Sequence, residues 1–243
     1  MPQPVSSVRP QGCTVFIGNN IDNPSDHRPA LALLAIKVLA EWSILESFIN
    51  GLFVMMLGAN PRPAAAMYVA LAGGAAQRAA FEAVADLALI DQQEKDVFAA
   101  ISHLIRRSAK GRNKIAHWIW GHSPEIPDAV LLCDPVVLLE HRVAATAEAE
   151  NPTGKDIPFP NNEIFAFFDT DFKDMSANIQ LLMGMVSTFR FLVNRHHPAN
   201  TGGAQLQQLL QQPQIRSFVD DLNKRRQNAQ AAQQRSSAAP KQP

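Results

Sequence analysis

Residues 106–120 read RRSAKGRNKIAHWIW, and five basic residues (Arg106, Arg107, Lys110, Arg112, Lys114) fall within nine positions. No acid occurs between Asp96 and Glu125. The run follows an amphipathic helical segment whose buried face is Val97, Phe98, Ile101, Leu104 and Ile105, with Asp91 and Glu94 at capping-box spacing ahead of it. Gly111 either ends that helix, with another starting at Arg112, or sits in a kink of one helix. In a helix, Asn113 and His117 are four apart and share a face. Arg112 is then about 140° from His117 around the axis, at 100° per residue. A fixed cation and a titratable imidazole in a local positive field suit binding and proton transfer at a phosphodiester.

Working toward the N-terminus, Asp26 before Pro29 marks a helix start. Leu34, Val38, Leu45, Phe48 and Leu52 then recur at helical spacings as far as Leu57. Glu41 falls on that stripe, where a carboxylate needs a partner. Two roles stand for Glu41 and Glu46: bonding an arginine or a neighbouring helix, or orienting Arg112 or His117. GANPRP at 58–63 is a turn, followed by an Ala-rich helix over about 64–89 in which Gly73-Gly74 either kinks the chain or permits close packing.

Toward the C-terminus, Gly121 is expected to end the helix. AVLLCD (129–134) and PVVLLEH (135–141) read as one or two short strands, and 148–162 as a mobile loop. Asp169 or Thr170 is the expected N-cap of a last helix, running to about Arg195 with Phe172, Met175, Ile179, Leu182, Val186 and Phe189 inside. The fold class that follows is all-α, a bundle of four to five helices over 26–197 with a small β or irregular insertion at 122–164. A loosely ordered leader (1–25), with room for one short strand and one short apolar piece at Thr14 to Ile17, precedes it. A Gln-rich, largely disordered tail (198–243) follows, with weak helical periodicity from Leu206 to Leu222.

The formal net charge is zero, so any nucleic-acid affinity must come from a local patch, and 106–120 is the best one. Cys13 and Cys133 have no metal-ligand spacing, and the sequence shows no signal peptide. They read as reduced thiols of a cytoplasmic protein, with no metal or other cofactor expected. The apolar run 47–60 is too short to cross a bilayer, so no membrane association is expected.

An R-x-x-x-x-H spacing alone arises by chance roughly 0.4 times in a chain of this composition. A looser arrangement, Arg190 with His196 or His197, ends an ordinary amphipathic helix and reads as a set of dipole partners. Context therefore has to carry the first pattern. RNKIAHWIWG at 112–121 resembles the R-N-x-x-x-H signature of the HEPN superfamily of all-α proteins, and EWSILESFING at 41–51 is similar to its early helix. The resemblance covers roughly residues 30–120, with 171–195 as a last bundle member.

It implies a homodimeric, metal-independent endoribonuclease in which two R-x-x-x-x-H segments form a composite cleft. His117 would move the proton, Arg112 would grip the phosphate, and Asn113 would orient His117 or shape the cleft, with Glu41 and Glu46 supporting. RNA contacts would come from Arg106, Arg107, Lys110, Lys114 and Trp118. Trp118 and Trp120 are open to two readings, base stacking or core and dimer interface. A prokaryotic toxin or defence effector, with an antitoxin or regulatory partner, is the implied role. The alternative is a non-catalytic dimer that binds RNA, a nucleotide or a protein.

Overall fold

The computed structural model describes residues 1–18, 24–194 and 203–238. In chain order the elements are β1 (Gln3–Pro4), α1 (Val5–Val8), β2 (Phe16–Ile17), α2 (Pro24–His27), α3 (Pro29–Leu57), α4 (Pro61–Ala70), α5 (Gly73–Ala88), α6 (Gln92–His117), β3 (Ile119–His122) and β4 (Ala129–Cys133). They continue with α7 (Pro135–Glu150), β5 (Ile164–Phe168), α8 (Asp169–Val193), α9 (Gly203–Leu210) and α10 (Pro213–Ala238). The described chain is mostly helical, as expected, but it carries ten helices rather than four to five, together with a five-stranded antiparallel sheet. It divides into two compact units, residues 1–44 with 107–180 and residues 45–106 with 181–243.

In the first unit the strand order is β1-β5-β4-β3-β2. All five residues of β4 are fully buried, as a central strand covered on both faces requires. Leu131 and Cys133 of β4 share a core with Ile164 and Ala166 of β5 and Leu138 of α7. Phe167 of β5 packs on Phe172 of α8, ring centroids 5.9 Å apart. From α3, Leu31, Ala35, Val38 and Trp42 are buried, at spacings of four, three and four.

Three expectations are corrected in this unit. The run PVVLLEH is the start of α7, not a strand, because Asp134 accepts a hydrogen bond from Val136 N (2.9 Å) and Pro135 stands at the first helical position. The leader is not loose: β1 pairs with β5, β2 with β3, and Val5 and Ile17 are buried. Thr14 donates its hydroxyl to Glu125 (3.0 Å), and Arg142 donates to the Gly18 carbonyl (2.7 Å). Gly121 does not end α6 but lies in β3, where a Cβ would sit 2.5 Å from the Phe16 carbonyl oxygen. The segment read as a mobile loop (148–162) has its first three residues in α7 but is otherwise free of helix and strand, as a loop requires; Glu148 accepts backbone hydrogen bonds from Thr153, Gly154 and Lys155 (2.6, 2.7 and 3.1 Å).

The start of α8 also differs. Neither Asp169 nor Thr170 is its N-cap; both lie within the helix, and Asp171 reaches back to accept from Phe168 N (3.0 Å).

The second unit is held by aromatic rings. Phe53 meets Tyr68 (4.6 Å), Phe81 meets Phe98 edge-on (4.9 Å), and Phe98 meets Phe189 (6.0 Å), linking α3, α4, α5, α6 and α8. The Ala-rich segment is two helices, and Gly73, at φ +81°, breaks the chain between them. The stretch read as a largely disordered tail carries α9 and α10. Leu209 and Ile215 are buried, and Arg226 makes two 2.6 Å bonds to Asp96, which is 5% exposed. His196 and His197 lie outside the described residues.

Candidate active site

The basic run occupies the last half of α6. Asp91 caps the start of this helix, accepting from Gln93 N (2.6 Å) and Glu94 N (3.3 Å). The helix continues unbroken through Gly111, so Arg112, Asn113 and His117 stand on one rigid element. Glycine lets α8 pack closely there: the Met175 methyl lies 3.0 Å from where a Cβ would be, and that flexible side chain would have to give way. The far end is closed by Trp118 N, which bonds the Lys114 carbonyl (2.9 Å), and by the Trp120 indole N–H, which bonds the Ile115 carbonyl (3.1 Å). Trp120 is therefore committed to the helix end.

Helical geometry sorts the polar side chains. Lys110, Asn113 and His117 fall within about 60° of one another around α6, and Arg107 extends that stripe to about 120°. All four are exposed. From Arg107 to His117 the stripe is about 15 Å long, at 1.5 Å per residue. Lys114 and His117 in the last turn also sit favourably at the negative end of the helix dipole.

Arg112 turns away from this stripe. It is half-buried, its guanidinium lies 5.7 Å from the ring centre of Trp42 on α3, and its Nη1 donates to Asn113 Oδ1 (3.1 Å). Asn113 thus bonds Arg112 and not His117. Among the described residues no hydrogen bond or ring contact joins Arg112 to His117, and the imidazole is open to solvent.

Lys114 is not a free surface cation. Its ammonium lies 4.5 Å from the Trp118 ring centre and 4.3 Å from that of Phe165, and burial pushes its pKa below the ordinary lysine value. Trp118 in turn packs on Phe165 (5.8 Å), so its ring is half-buried in the first unit.

Glu41 has its partners on neighbouring turns and on α8. It accepts from Gln180 Nε2 (2.8 Å) and lies 3.7 Å from the Lys37 ammonium. This is the structural role weighed for it, with Gln180 in place of an arginine. Glu46 is exposed in the second unit, where its charge adds to burial in raising the Tyr68 pKa. Arg106 is exposed and lines a cleft of that unit.

Sequence reasoning missed Trp42 and Gln180. Trp42 was detectable, since it stands between Val38 and Leu45 on the buried stripe of α3. Gln180 carries no such mark. Among the described residues no group of three or more His, Cys, Asp or Glu side chains is placed to hold a metal ion, and no helix is long and apolar enough to cross a membrane. No protein-family model, no curated protein and no solved structure matches the chain.

Proposed function

We propose that the chain is a HEPN-like, metal-independent endoribonuclease that uses the end of α6. The observation carrying this reading is the contrast between two side chains of one helix. Arg112 is braced by Trp42 and Asn113, while His117 stands exposed beside Lys110 and Asn113. A braced guanidinium loses little freedom on gripping a phosphate, and an open imidazole can reach a ribose. His117 takes the proton from the 2′-OH, the 2′-oxygen attacks phosphorus, and the P–O5′ bond breaks. The leaving 5′-oxygen takes a proton, giving a 2′,3′-cyclic phosphate and a 5′-OH. The ribose supplies the nucleophile, so the step needs no metal-bound water.

The 140° between Arg112 and His117 calls for a homodimer in which each Arg112 works with the partner's His117. Mixing Arg112→Ala and His117→Ala chains tests this. Random reassortment restores about a quarter of wild-type cleavage if the site is composite, and none if it lies within one chain. On this reading RNA is the substrate, Arg107 and Lys110 hold its backbone, and the role is that of a prokaryotic toxin or defence effector acting in the cytoplasm under an antitoxin or regulatory protein. A second reading, a non-catalytic dimer binding RNA, a nucleotide or a protein, is favoured by the tie between Arg112 and Asn113, which also serves stability alone. Unchanged RNA ends at high protein concentration would favour it over the enzyme.

A further inference from the structure

A cleft of about 270 Å³ opens in the second unit between α5, α6 and α10. Its floor is apolar, built from Ala85 of α5, Leu89 at the C-cap of that helix, Phe98 of α6 and Phe218 of α10. Polar groups converge over that floor in two pairs, each four residues apart on its helix: Glu82 with Asp86, and Ser102 with Arg106. The Ser102 hydroxyl is enclosed, yet it has no hydrogen-bond partner among the described residues. Lys95 spends its ammonium on the Asp86 backbone carbonyl (3.2 Å), which leaves the Asp86 carboxylate uncommitted. Among the described residues neither the Glu82 carboxylate nor the Arg106 guanidinium has a hydrogen bond or ion pair.

Two acids and two bases line the cleft, so its charges balance. A ligand matched to it carries both signs and no net charge, with an apolar body for the floor. We propose that this cleft binds a small zwitterion of the apolar amino-acid class, such as leucine or phenylalanine. The ligand ammonium faces Glu82 and Asp86, and its carboxylate takes the Arg106 fork. The side chain lies against Phe98 and Phe218, next to Ser102. A nucleotide is disfavoured, because Glu82 and Asp86 repel a second phosphate charge. The site is independent of the RNase reading.

Isothermal titration of the full chain with L-leucine and L-phenylalanine tests it, with phenethylamine, 3-phenylpropionate and AMP as controls. One zwitterion per chain is expected to bind, at least about tenfold tighter than either single-charge analogue or AMP. Glu82→Gln is expected to weaken binding about tenfold, and Ser102→Leu, which fills the cleft, to abolish it. Circular dichroism of each variant shows that the fold is kept, and Asp86→Asn repeats the test from a second exposed position should Ser102→Leu not fold. Silence with both amino acids at about 10 mM, equal binding of AMP or of a single-charge analogue, or binding untouched in folded Ser102→Leu or Asp86→Asn protein would each overturn the proposal.

Discussion

Trp42 illustrates how one buried ring prepares a polar group for work. It anchors α3 in the first unit and presents its ring beneath the Arg112 guanidinium. Replacing it with leucine keeps an apolar side chain but removes the ring, so Arg112 loses its brace. Trp42→Leu is expected to lower RNA cleavage about tenfold while costing roughly 1–2 kcal/mol of stability, measured by single-turnover rates and urea unfolding. Gly121 is constrained from the other side, because a β-carbon there meets backbone. Gly121→Val is expected to cost about 2 kcal/mol and to loosen β2, read by hydrogen exchange at Phe16 and Ile17. Cys133, fully buried in β4, has its thiol pushed up to about 11 by burial, with Asp134 and Glu163 adding to it. It should resist alkylation at pH 8 in the native protein and react on unfolding.

At the scale of elements, α10 gives the clearest pH test. Hydrogen bonds from Arg226 hold the Asp96 carboxyl below the usual aspartate range, against burial, which pushes the other way, and with a further bond from Gln92. A carboxyl with a depressed folded pKa contributes stability that is complete above its unfolded value, near pH 4, and is lost as pH falls through the folded value. Arg226→Gln should therefore cost about 1 kcal/mol at pH 7, since the guanidinium is partly solvated, and should reduce the loss of stability below pH 4. Acid titration of unfolding free energy checks both.

The same scale shows what the chain's pattern disclosed. Helices α3, α6 and α8 were legible because each is long and repeats its apolar residues at helical spacing, and β4 because a short apolar run ends at a polar Asp134. By contrast, α7 was hidden by a β-branched, aliphatic start, although Asp134-Pro135 is a helix-opening pair. Two-residue edge strands such as β1 and β2 have no period to detect. Helix α10 rests on Ile215, Phe218 and the distant Asp96, and a Gln-rich composition conceals such anchors.

For the whole molecule, the candidate site was half legible. The sequence placed Arg112, Asn113 and His117 together on one helix end, and the 26-residue α6 carries them there. Local spacing did not disclose that Asn113 would hold Arg112, that Lys114 would be buried between Trp118 and Phe165, or that Glu41 would turn to Gln180. Those outcomes depend on which elements pack together, information that lies at long separations along the chain. What the fold itself supplies is a braced arginine and an exposed histidine on one helix; the second copy that would bring them face to face belongs to the proposed function.

Incubation of the purified protein with a mixed RNA in excess EDTA, beside His117→Ala, tests that account most directly. It predicts cleavage leaving 2′,3′-cyclic phosphate and 5′-OH ends, reduced at least about a hundredfold in the variant. Intact RNA with both proteins, or equal traces of cleavage in both, would contradict it.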